Sequence, residues 1–148
     1  FYNNPSFGFG GYCLPKDTKQ TAALLDPATS PLVQNLTKSN SARKEYIARD
    51  ILSARAKTVG IYRLIMKAGS DNFRETAISD VIELLRKSGQ DILIYEPLLN
   101  EKSYLGASVV SKFDDFVEAS DLIVANRLDG MLEGLEKKVY SRDIYSVD

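Results

Sequence analysis

The sequence predicts an α/β fold, a small parallel sheet with flanking helices preceded by a glycine-rich loop and one long helix. Three observations predict it. The runs "TVGIY", "DILIYEP", "LIVAN" and "KVYS" are short, apolar and rich in β-branched or aromatic residues, as strands are. Helical patterns alternate with them, most clearly "FRETAISDVIELLRKSG". The texture also changes at Lys57, because upstream of it only loop and helix patterns occur.

Taken in order, residues 1–13 read as loop. Pro15 suits the first position of a helix, where its missing N–H costs nothing, and Asp17 then falls in the first turn, where a negative charge is favoured. The helix runs from Lys16 to Leu25, and "DPATSP" ends it. A longer helix spans Leu32 to Ser53, with Leu32, Leu36, Ile47, Ile51 and Ala54 at helical spacing. Its middle is polar, at Ser39, Asn40 and Arg43. Two readings of that middle stay open, a solvated helix centre and a surface that meets a partner.

Thr58 to Tyr62 is the first strand. The following helix buries Phe73, Ala77, Ile78, Val81, Leu84 and Leu85, with Asn72 and Glu75 as a capping box and Gly89 as its C-terminal stop. Asp91 to Pro97 is the second strand, which completes a right-handed βαβ unit. A short helix over Phe113 to Asp121 leads into strands at Leu122 to Asn126 and Lys138 to Ser141. Residues 57–148 thus compose a small Rossmann-like parallel sheet, and residues 1–56 form a loop and helical region before it.

The totals narrow the function. A chain of 148 residues, 44% hydrophobic and 26% charged, can bury a core as one domain, or as one domain with an extension. A net charge of -1 recommends neither nucleic acid nor an anionic membrane as partner. No apolar run approaches the roughly 20 residues of a membrane span. The single cysteine excludes an internal disulfide and agrees with a cytoplasmic location. The absence of histidine excludes Ser-His-Asp triads, Cys-His dyads and histidine metal sites within the chain, and no metal is implied. Acid–base work falls to carboxylates, lysines, tyrosines or water. The first residue is Phe1, inside a loop motif, so the chain reads as a piece whose N-terminal portion is missing.

Cys13 is the candidate nucleophile. It precedes Pro15 at a helix start, where free N–H groups and the helix dipole favour an anion, and Lys16 adds a positive charge. Gly8, Gly10 and Gly11 clear the approach to the sulfur. The ordinary alternative is a small buried hydrophobe. Such a residue needs neither three glycines nor a charged helix start.

"NPSFGFGGYCLPKD" resembles the catalytic-cysteine motif of the UDP-glucose/GDP-mannose dehydrogenase family, and "GIYRLIMKAGSDNFRETAI" resembles the matching segment of its bacterial UDP-glucose branch. The resemblance runs from Phe1 nearly to "KVYSRDIY". It implies a dehydrogenase that oxidises the C6 hydroxyl of UDP-glucose to the carboxylate of UDP-glucuronate, in two hydride transfers to NAD, through a cysteine thiohemiacetal and thioester. On this resemblance Cys13 is the nucleophile and Asp17 positions water. Tyr2, Asn3, Asn4, Pro5, Ser6 and Gly10 belong to the loop around the sugar and diphosphate. Lys67 contacts the UDP-sugar, Arg142 the nucleotide, and Lys16 and Arg74 the cofactor. Arg63 has no assigned role, and Glu96 reads as an ordinary strand-end residue. Residues 57–148 become a UDP-sugar-binding domain, and the long helix becomes the central helix of a homodimer. The NAD-binding domain and its glycine-rich turn are expected upstream of this chain, so the chain alone is expected not to turn over. The alternatives are a non-catalytic nucleotide-binding or dimerisation module, or a dehydrogenase of UDP-N-acetylmannosamine or GDP-mannose.

Overall fold

A computed structural model describes residues 4–64 and 76–145. Helix α1 (Cys13–Leu24) packs on α2 (Pro31–Ser53), which starts with Pro31 in its first turn. Gln34 of α2 donates to the carbonyls of Ala22 and Leu25 (2.6 and 3.2 Å), which occupies orphan acceptors at the end of α1. Helix α1 begins at Cys13, so Pro15 is its third residue and Asp17 its fifth, past the first turn. This corrects the start expected at Lys16. A proline is tolerated anywhere in the first turn, where amide hydrogens have no intrahelical partner, so it does not mark one exact boundary.

Strand β1 (Thr58–Tyr62) is followed by α3 (Ala77–Lys87) and β2 (Asp91–Tyr95). The expected capping box at Asn72 and Glu75 lies outside the described residues. The described cap of α3 is Thr76, whose Oγ1 accepts from the Ser79 amide at 3.3 Å. At the other end Gly89 adopts φ 79°, the Gly89 amide donates to Arg86 O and the Gln90 amide to Leu85 O. That pattern is a Schellman stop, as the glycine predicted.

Strands β3 (Ser103–Tyr104) and β4 (Ala107–Val110) come next. Helix α4 (Phe113–Ala119), β5 (Leu122–Ala125), a 3₁₀ turn at Gly130–Leu132 and β6 (Val139–Tyr140) complete the chain. Helix α4 stops two residues short of the expected Asp121, whose carboxylate instead accepts from the Thr58 amide at 2.8 Å.

The six strands are ordered β3-β4-β2-β1-β5-β6 and are parallel except for β3 at the edge. The β3–β4 hairpin is missing from the sequence reading. Its strands hold two and four residues, too few for a period to register. Its two-residue turn has φ 47° at Leu105 and 73° at Gly106, the primed geometry of a tight hairpin, with leucine where asparagine is usual.

Alternate residues of the strands enter two cores. On one face Val59, Ile61, Ile94 and Val124 pack with Ile78, Val81, Ile82 and Leu85 of α3, and with Phe7, Ile47 and Ile51 from the loop and α2. On the other, Tyr62, Tyr95, Phe113 and Phe116 stack at centroid distances of 5.4–6.3 Å around α4. The loop and long helix therefore share a core with the sheet.

Candidate functional site

The glycine-rich loop meets the sheet where a ligand site is expected. From β1 the chain builds outward through β2 on one side and later returns to add β5 and β6 on the other. In open α/β sheets ligands bind at the carboxyl ends beside such a switch. The loop is anchored there. The Phe7 amide donates to Asn126 Oδ1, just past β5, at 3.1 Å. Arg127 donates to Pro5 O at 2.7 Å, and Asn4 donates to Asp143 at 2.8 Å. Phe7 is fully buried, its ring 6.1 Å from that of Tyr140.

The long helix holds the other side of the loop. Asn40 Oδ1 accepts from the Phe9 amide and Asn40 Nδ2 donates to the Phe9 carbonyl, both at 2.9 Å. Arg43 Nε donates to Ser6 O at 3.0 Å. The polar middle of α2 is therefore more than a solvated stretch. Its Asn40 and Arg43 serve the loop. Gly8 allows the close approach, because a Cβ there would lie 2.7 Å from Asn40 Oδ1.

Cys13 is the first residue of α1 and is exposed. Asp17 follows at i+4, so it lies on the same helix face one turn along. Lys16 pairs with Asp17 at 3.1 Å and lies 5.5 Å from the Tyr12 ring centroid. The pair balances the carboxylate that would otherwise oppose a thiolate on this face. Gly10 lines a cleft of about 290 Å³ with Phe9, Pro15, Lys19, Asn40 and Lys44. A second pocket, of about 530 Å³, includes Asp129, Glu133, Glu136 and Asp143 in its lining. Four carboxylates make it a poor host for a diphosphate.

At the end of β1 the Tyr62 hydroxyl donates to both oxygens of Asp129 at 2.8 Å. Burial, then this bond, holds the Tyr62 phenol well above its usual range. Arg63 has φ 59°, pairs with Asp129 at 3.4 Å and covers the Tyr62 ring at 5.4 Å. Glu96 is more than a strand-end residue. It is 4% exposed and accepts from the amides of Leu64 (2.8 Å) and Leu98 (3.2 Å), which anchors the backbone leaving β1.

Arg142 is paired with Asp50 of α2 and lies over the rings of Tyr140 (5.2 Å) and Tyr46 (5.9 Å). Tyr140 also donates to Asp50, at 2.9 Å. Two buried donors at this edge, Asn126 Nδ2 and Arg142 Nε, have no partner among the described residues. Because Val124 pairs with Tyr140, continuing the β5–β6 register sets Asn126 beside Arg142.

Of the residues singled out by sequence, Asn4, Pro5, Ser6, Gly10, Cys13, Lys16 and Asp17 lie on one continuous loop and helix start. Arg142 joins the same sheet edge. Tyr2, Asn3, Lys67 and Arg74 lie outside the described residues. Sequence reasoning missed Asn126, Arg127 and Asp143 as loop anchors, since nothing local marks them. Asn40 and Arg43 did leave a signal, as polar residues interrupting a helical stripe.

Residues 60–144 match the UDP-binding domain of the UDP-glucose/GDP-mannose dehydrogenase family. The chain is 47% identical over 145 residues to the UDP-glucose 6-dehydrogenase of Streptococcus pneumoniae, covering 98% of this chain and 37% of that protein. It is 45% identical over 150 residues to the UDP-glucose 6-dehydrogenase of Campylobacter jejuni, covering 100% of this chain and 38% of that protein. Among solved structures, a ternary complex of GDP-mannose dehydrogenase from Pseudomonas aeruginosa superposes with a TM-score of 0.79 at 25% identity, covering 95% of this chain and 37% of that one. The chain thus spans less than two-fifths of the length of these relatives.

Proposed function

The chain belongs to the UDP-glucose/GDP-mannose dehydrogenase family, and from that premise we propose that it forms the nucleophile-bearing, UDP-sugar-binding part of an NAD-dependent UDP-glucose 6-dehydrogenase. One observation carries the reading. The only cysteine is exposed at the first residue of a helix, directly after a loop anchored at the carboxyl edge of the sheet.

In this reaction the C6 alcohol loses a hydride and a proton to become an aldehyde. The Cys13 thiolate adds to the aldehyde carbon to give a thiohemiacetal. Loss of a second hydride gives a thioester, and water cleaves it to the carboxylate and regenerates the thiolate. Cys13 suits both attack and departure, because a thiolate is a strong nucleophile and a good leaving group. Asp17, on the same helix face, orients the hydrolytic water. Asn4, Pro5, Ser6 and Gly10, with Tyr2 and Asn3, wrap the sugar and diphosphate. Arg142 and Lys67 complete the nucleotide contacts.

NAD supplies the hydride acceptor in both oxidations. The described residues do not form its main cradle. The glycine-rich fingerprint is absent after β1, and both oxygens of Glu96, the acid at the end of β2, are engaged by backbone amides. Lys16, half exposed beside Cys13, fits a peripheral contact, and Arg74 is the second residue assigned to the cofactor. The protein acts in the cytoplasm as a dimer through α2. Among the described residues, no helix is long and apolar enough to cross a membrane.

Calorimetry with UDP tests the reading. Saturable binding is expected, displaced by UDP-glucose, with GDP bound at least about tenfold more weakly because a pyrimidine pocket rejects a purine. No steady NADH formation is expected from this chain alone. Absence of any heat with UDP would leave a structural module, and turnover by the isolated chain would refute the division of the site.

A further inference from the structure

We propose that Asn40 is a positioning residue for Cys13, fixing the loop ahead of the nucleophile by bonding both polar groups of the Phe9 backbone. The assignment of Cys13 as nucleophile rests on the function proposed above. The clamp itself does not.

Asn40 uses its carboxamide as a neighbouring strand uses a peptide, accepting from the Phe9 amide and donating to the Phe9 carbonyl at 2.9 Å each. Between Phe9 and Cys13 lie Gly10 and Gly11, the latter at φ 84°, and glycine pairs are the most conformationally free links a chain has. Without a fixed point at Phe9, the segment leading to the sulfur would sample many paths. Helix α2 fixes both ends of that segment, since Asn40 holds Phe9 while the body of the same helix packs against α1. The Gly8 contact seats the loop against the same side chain. Farther upstream, Asn126 holds Phe7 by its amide, so the loop is pinned two residues apart by two carboxamides from different elements. Asparagine is a poorer mid-helix residue than alanine, and the clamp accounts for its presence in the middle of α2.

The test compares the parent with Asn40→Ala and Asn40→Asp in the complete chain, by amide hydrogen exchange and by the pH profile of Cys13 alkylation with iodoacetamide. The chain has one cysteine, so alkylation reports that site alone. In Asn40→Ala, exchange at Phe9 to Tyr12 should accelerate about tenfold or more. The alkylation rate should change at least about threefold, with amides of β1, β2 and β5 as in the parent. Asn40→Asp keeps the acceptor for the Phe9 amide and should fall between the two, a partial rescue that a merely structural role does not produce. Unchanged loop exchange and alkylation in Asn40→Ala overturn the proposal. So does acceleration spread evenly through the sheet. If Asn40→Ala fails to fold, Asn40→Asp is judged by the same two readouts. UDP calorimetry on the parent separates this result from the functional reading, because a chain that binds no UDP can still show, or lack, the clamp.

Discussion

Tyr140 shows how a single side chain couples the sheet to the long helix. Burial, and then its bond to Asp50, raise the Tyr140 phenol from 10.0 to about 12. The folded protein therefore holds a proton there that the unfolded chain gives up from pH 10. The sign follows: this contribution to stability is fully present below pH 10 and is lost as pH rises towards 12. Ultraviolet titration of tyrosine should show a fraction that ionises only as the protein unfolds, and Tyr140→Phe should shrink it. Tyr62, raised further beside Asp129, should stay protonated through the same range. Neither pairing was legible in the sequence, for the partners lie 90 and 67 residues away. The exposed helix-start position of Cys13 was legible, because its determinants are neighbours within a few residues.

Among the elements, the ends carry the information. Helix α3 stops at a left-handed glycine, whereas α2 places Arg55 in the equivalent position at φ 54°, with its amide on Leu52 O at 3.1 Å. A non-glycine residue there costs about 1–2 kcal/mol, partly offset by the extra freedom that glycine brings to the unfolded chain. Arg55→Gly should therefore stabilise the protein by about 0.5–1 kcal/mol, a rise of roughly 1–4 °C in Tm by calorimetry. Helix and strand positions were readable at this scale since caps and periodicity are local. The start of α1 was misplaced because proline can serve at several positions of a helix start, and packing selects among them.

For the whole molecule, the notable feature is that four leucines around the junction of α1 and α2 stay exposed among the described residues. Leu24 and Leu32 are 78% and 77% exposed, and Leu25 and Leu36 are 41% and 38% exposed. Farther along the same helix Ile47, Ala48 and Ile51 are buried. One helix thus works for its own fold at one end and offers apolar surface at the other. The proposed dimer through α2 would bury that surface. Sedimentation equilibrium should give a dimer mass for the parent, and Leu32→Glu with Leu36→Glu should shift it to monomer while circular dichroism stays unchanged. A monomeric parent at high concentration would count against the dimer.

Local pattern was enough for the fold class, the four principal strands, the place of the long helix and the cysteine at a helix start. Each depends on periodicity, capping or composition over a few residues. The tertiary structure alone decided what the polar middle of α2 holds, that Glu96 anchors the chain leaving β1, that Arg142 shares Asp50 with Tyr140, and that a short hairpin edges the sheet. These depend on groups distant along the chain meeting in space, where a buried polar group must find a partner that no local pattern names.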